Sequence, residues 1–98
     1  MKEIAMSKLL NDKVLGDNIK RIRLARGLTQ EQTVAKLQVL GSPLSRSTYS
    51  LIEMGRGNVY VNDLVGLQIV FNVNYDEFFK NIPPSRESKA ERITEKTK

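Results

Sequence analysis

The apolar positions of this chain recur with the period of an α-helix rather than a strand. Leu15, Ile19 and Ile22 fall at i, i+4 and i+7, which predicts a first helix over about residues 15–26. Gly27 stops it, and Arg21 and Arg26 suit its last turns through the helix dipole. Thr29 then caps a second helix, and Gln32 three residues later completes a capping box. Thr33, Val34, Leu37 and Leu40 are its inward positions, and residues 41–43 (Gly, Ser, Pro) end it. Ser45 opens a third helix, residues 45–54, with Leu44 placed to staple onto it and Gly55 at its stop. A fourth helix is expected over residues 61–71, with Leu64, Leu67 and Phe71 as its buried stripe. Gly66 and the β-branched residues weaken it. Asn72 is its C-cap, Asn74 caps a short fifth helix over about residues 75–80, and Pro83 and Pro84 stop the pattern.

These elements make one all-α, five-helix domain over residues 15–82. Residues 1–14 mix Ile4, Met6, Leu9 and Leu10 with charges and read as an arm or a short helix. Residues 83–98 read as a flexible charged tail, whose only apolar residues beyond the prolines are Ala90 and Ile93.

The third helix divides into two unlike faces. Thr48, Tyr49 and Ile52 share one that can bury, with Tyr49 read as a core residue. Arg46, Ser47, Ser50 and Leu51 share the other. Small polar residues are poor helix formers, so stability alone does not explain them. A slim face of donors, acceptors and one apolar side chain is what a helix needs to enter a DNA major groove.

Charge sharpens the picture. The 98 residues carry a net charge of +5, unevenly spread. Residues 15–57 hold seven bases against three acids, whereas residues 58–79 hold three acids and no base. Such asymmetry suits a domain that turns one face to a polyanion. The chain has no Cys and no His, which removes disulfides, thiolate metal sites and the commonest general base and metal ligand. The glycines at 55 and 57 lack the Gly-Lys-Ser/Thr ending of a nucleotide-binding loop. No enzyme, cofactor or metal is expected. No stretch approaches the roughly 20 apolar residues of a membrane span, and no secretion signal is evident, so a cytoplasmic location without membrane contact is expected.

Four stretches carry a family likeness: residues 15–23 (LGDNIKRIR), 27–32 (GLTQEQ), 44–55 (LSRSTYSLIEMG), and 71–79 (FNVNYDEFF) after Leu64 and Leu67. In this order and spacing, over about 65 residues, the chain resembles the Xre family of phage-repressor and Cro-like DNA-binding domains. The resemblance implies a five-helix lambda-repressor-like helix-turn-helix domain, usually dimeric, from a bacterium or phage. Its third helix would read operator DNA. Arg46, Ser47 and Ser50, with Ser45 at the helix start, stand where the family makes base contacts, and Leu51 is placed to touch a thymine methyl. Gln30, Arg56 and Asn58 stand where the family meets phosphates. Arg23 and Glu53 match a pair that some relatives use as an internal ion pair. Phe78, Phe79 and Ile82 are candidates for core, for a dimer surface, or for both.

The chain departs from the family in three places. The segment from Leu37 to Leu44 is about five residues longer than the usual turn, read as an extra helical turn and a wider loop. Val34 replaces a small residue, implying a repacked helix crossing, and Gln68 replaces a usual Ala. The expected function is a sequence-specific DNA-binding transcription regulator, a repressor binding double-stranded DNA as a homodimer. The alternative is an antitoxin or adaptor on the same fold, whose main partner is a protein.

Overall fold

The computed structural model describes residues 12–84 together with the backbone of Lys8 and Leu9. Four α-helices follow in order: α1 (Lys13–Ala25), α2 (Gln30–Val39), α3 (Arg46–Glu53) and α4 (Val61–Phe71). A 3-10 turn, Tyr75–Phe79, comes after them. A two-residue antiparallel ladder pairs β1 (Lys8–Leu9) with β2 (Val59–Tyr60), in the register Lys8 to Tyr60 and Leu9 to Val59. The charged tail lies outside the described residues from residue 85 onward, and so does most of the expected N-terminal arm.

Local chemistry accounts for the helix ends. α1 begins at Lys13, two residues before the pattern predicts, because the Asp12 carboxylate accepts the Leu15 N–H at 2.8 Å. α2 opens with the full capping box: Thr29 Oγ1 accepts the Gln32 N–H at 3.0 Å and Gln32 Oε1 accepts the Thr29 N–H at 2.9 Å. α3 is capped by Ser45, whose Oγ accepts the Thr48 N–H at 3.2 Å.

The first three helices end alike. The amide of residue 28, 42 or 56 bonds back to the carbonyl of Arg23, Leu37 or Leu51, over a glycine with φ of +73°, +98° or +77°. α4 closes instead on Asn72 in the left-handed conformation, φ 53°. Gln68 Nε2 donates to the Val73 carbonyl at 3.0 Å, so this residue ties down the turn after α4.

The core is continuous. Leu15, Ile19 and Ile22 meet Val34, Leu37, Leu44, Tyr49, Ile52, Val59, Leu64, Leu67, Phe71 and Phe78, with Leu28, Val70, Val73 and Ile82 packed at its edge. Asn18 is buried with them, and its Nδ2 donates to the carbonyls of Phe78 and Lys80, both at 2.9 Å, which binds α1 to the 3-10 turn.

Several expectations need correction. The fifth helix is a 3-10 turn, because five residues are too few to recover the cost of an α-helical nucleus. Leu40 is half exposed, and Val39 is exposed too, because α2 runs on past the core after Leu37. Thr48 faces solvent. The third buried residue of α3 is Glu53, alongside Tyr49 and Ile52.

Candidate nucleic-acid interface

The outer face of α3 is presented by a rigid support, and that support starts at Gly16. A Cβ added there would stand 2.5 Å from the Ile52 carbonyl oxygen and 2.7 Å from that of Glu53. Only the absence of a side chain allows α1 to cross the end of α3 this closely. The crossing brings Arg23 of α1 onto Glu53 of α3. Arg23 Nε donates to Glu53 Oε2 at 2.6 Å and Nη2 donates to Oε1 at 3.1 Å, forming a bidentate pair. Arg23 Nη1 also donates to the Leu28 carbonyl at 2.8 Å. The two side chains are 8% and 2% exposed, so the pair is buried.

Burial alone would push the Glu53 carboxyl up. The hydrogen bonds from Arg23 and Gln30 and the Arg23 charge outweigh it and hold the carboxyl below its ordinary value. The same contact with Glu53 raises Arg23. Tyr49 packs beside this pair. Its hydroxyl has no hydrogen-bond partner among the described residues, and burial first, then the close approach of the Glu53 carboxylate, push its pKa well up.

Gln30, at the first turn of α2, joins the network: its Nε2 donates to Glu53 Oε1 at 3.0 Å. One buried carboxylate therefore locks three helices together and orients Gln30. The amide keeps a second N–H and its carbonyl oxygen for an outside group.

On the opposite side of α3, Ser45, Arg46, Ser47 and Ser50 line one shallow depression. Arg46 and Ser47 are exposed, Ser50 is half-buried, and Leu51 is 41% exposed. The Ser45 hydroxyl is engaged: besides capping the Thr48 N–H it donates to Thr48 Oγ1 at 3.1 Å. Among the described residues Arg46 reaches only Glu31, with Nη1 3.9 Å from Oε2, both side chains well exposed. Such a pair is weak and open to exchange.

Arg56 and Asn58 are exposed on the loop that follows α3. The amides of Arg56 and Gly57 donate to the Leu51 carbonyl at 2.9 and 3.1 Å, which fixes that loop against the end of α3. The structure thus brings Ser45, Arg46, Ser47, Ser50 and Leu51 together on one helix, with Gln30 linked to it through Glu53. Of the three aromatic and aliphatic candidates for a dimer surface, Phe78 is fully buried and belongs to the core. Ile82 is half-buried, and Phe79 is 45% exposed.

Two features were missed from the sequence. Gly16 sits inside a helix where nothing local announces a close crossing. Lys13, Asp17 and Lys20 line a groove with Gln30, Ser50, Glu53 and Met54. Their signal was a polar stripe at i, i+4 and i+7, opposite the apolar one.

No helix among the described residues is long and apolar enough to cross a membrane. No curated protein matches the sequence. The restriction-modification controller protein C.AhdI from Aeromonas hydrophila is similar in structure. Its crystal structure matches with a TM-score of 0.60 and 25% identity, over 68% of this chain and 94% of that one. The helix-turn-helix family model (HTH_3) matches residues 19–78, which runs from the middle of α1 to the buried Phe78 and takes in every candidate contact on α2 and α3. The chain therefore belongs to the Xre-like helix-turn-helix family, the DNA-binding domains of transcription regulators.

Proposed function

We propose that this protein binds operator DNA sequence-specifically, with α3 in the major groove, and acts as a repressor in the form of a homodimer. The observation that carries the proposal is the polar strip of exposed Arg46 and Ser47 with half-buried Ser50, on a helix whose back is locked by the Arg23–Glu53–Gln30 network. A rigid helix with a slim polar face can be held to base edges without paying to order itself. Arg46 exchanges its weak contact with Glu31 for a guanine edge or a phosphate. Ser47 and Ser50 read neighbouring bases, and Leu51 lies against a thymine methyl. Ser45 contributes chiefly as the cap, its hydroxyl being already engaged. Gln30, Arg56 and Asn58 take backbone phosphates and set the register.

Two-fold operators call for a dimer, with half-sites about one helical turn apart. The exposed α4 residues Val61, Val65 and Ile69, at i, i+4 and i+8, together with Phe79, supply apolar surface for that contact. The likeness to a restriction-modification controller protein supports a regulator of this kind.

The test is selection of bound DNA from a random pool, followed by gel-shift measurement of Arg46→Ala and Gln30→Ala. Arg46→Ala is expected to lose about 1–3 kcal/mol of discrimination at one base position. Gln30→Ala is expected to weaken all sequences alike. If both variants bind the selected DNA as tightly as the unaltered chain, α3 is not the reading helix. Stoichiometric co-purification with another protein, with no DNA recovered from the pool, would establish the adaptor or antitoxin reading in its place.

A further inference from the structure

The polar face of α1 has no role in the account above, yet it borders the face of α3 that meets DNA. Lys13, Asp17 and Lys20 recur at i, i+4 and i+7, on the side of α1 away from Leu15, Ile19 and Ile22. They share one groove with Gln30 and Ser50, two residues assigned above to phosphate and base. Two close approaches build that groove. One is the crossing at Gly16. The other is at Gly55, where a Cβ would lie 2.6 Å from Lys13 Cα, so the start of α1 is pressed onto the loop that carries Arg56.

The charges in the groove are unequal in availability. Glu53 is neutralised by Arg23 beneath it. Lys13 Nζ is 2.5 Å from Asp17 Oδ1, with both side chains more than half exposed. Lys20 is exposed and has no ion-pair partner among the described residues.

We infer that Lys13 and Lys20 form a phosphate subsite on α1, next to the phosphate engaged by Gln30, and that Asp17 moderates it. The inference rests on the DNA-binding reading above. Lysine is a point charge with rotatable donors, suited to a backbone phosphate and unsuited to reading a base. An exposed Lys–Asp pair is weak enough for a phosphate to displace it. Asp17 then faces the same phosphate and opposes it. The subsite therefore strengthens when Asp17 is neutralised and weakens when either lysine is.

The experiment uses the full chain and the DNA selected from a random pool, with gel-shift affinity measured across a salt series. Lys20→Gln is expected to lower affinity roughly 3- to 10-fold and to make the slope of log affinity against log salt shallower by about 0.9. Asp17→Asn is expected to shift both quantities the opposite way. Lys80→Gln removes the same charge beside the 3-10 turn, outside the groove, and is expected to change neither. If Lys20→Gln and Asp17→Asn match Lys80→Gln while Arg46→Ala still weakens binding, the α1 subsite is refuted and the DNA reading survives. If no DNA in the pool binds the unaltered chain, the DNA reading fails and the subsite fails with it. Lys20, Asp17, Lys80 and Arg46 are all solvent-exposed, and a thermal melt of each variant checks that the fold is retained.

Discussion

Glu53 sits at the meeting point of opposing electrostatic effects. Desolvation opposes its charge, and the bidentate Arg23 contact and the Gln30 amide favour it more strongly. Its folded pKa therefore lies below the ordinary 4.5. A depressed carboxylate stabilises the fold fully above its unfolded value and loses that contribution as pH falls through the folded one. Asp63 works in the other direction: burial raises its pKa, so its protonation on acidification relieves a cost and offsets part of the loss. Urea midpoints measured from about pH 7 down to about pH 3 should fall less steeply in Glu53→Gln than in the unaltered chain. Glu53→Ala should lose about 3–5 kcal/mol at neutral pH, because it strands a buried guanidinium. A loss below about 1 kcal/mol would mean that Arg23 finds water and that the pair is not a rigid lock.

The helices separate stability from recognition within a few residues. Ser45 and Ser47 are neighbours of the same chemistry on the same exposed end of α3, but Ser45 caps the Thr48 amide. Ser45→Ala should therefore cost about 1 kcal/mol of stability. Ser47→Ala should leave the denaturation midpoint nearly unchanged and alter affinity for the selected DNA. Equal stability losses in the two would refute the division. Where α1 crosses α3, Gly16→Ala forces a methyl group against two backbone carbonyls, which cannot rotate aside as a side chain would. A loss of about 1–3 kcal/mol is expected in chemical denaturation. DNA affinity should fall as well, because widening the crossing disturbs the Arg23–Glu53 pair to which Gln30 is bonded. An alanine variant as stable as the parent would show that the crossing can widen freely.

For the molecule as a whole, the seven bases of residues 15–57 lie on the part that holds α1 to α3, and the base-free stretch of residues 58–79 holds α4 and the 3-10 turn. Arg21 and Arg26 are engaged with that stretch, at Glu77 and at the Phe71 and Asn72 carbonyls. On the proposed reading, DNA binding falls to α3 and self-association to the exposed apolar face of α4. Ile69 is 54% exposed on α4, so Ile69→Glu should leave the melting temperature almost unchanged. It should shift sedimentation toward the monomer and weaken operator binding through the lost dimer. A monomer–dimer balance identical to that of the parent would exclude this face of α4 as the subunit contact.

Periodicity along the chain determined the four α-helices and their order, though not that the short fifth element would be a 3-10 turn, and local chemistry determined the helix ends. Thr29, Gln32, Ser45 and Asn72 cap as their residue types require, and Gly27, Gly41 and Gly55 adopt the left-handed turn that a side chain would strain. These are short-range effects, complete within about one helical turn, and so readable without knowing what lies across the core. The Arg23–Glu53 pairing was legible only through the family resemblance, because thirty residues separate the partners. Tertiary contact alone decided the rest. Glu53 rather than Thr48 is buried on α3 because Arg23 arrives to neutralise it. Leu40 is left exposed because α2 outruns the core it packs on. Lys13, Asp17 and Lys20 share a groove with Gln30 and Ser50 because Gly16 and Gly55 let three backbones approach within a few ångströms. Such approaches depend on the shapes of segments distant in the chain, and no local pattern of residues encodes them.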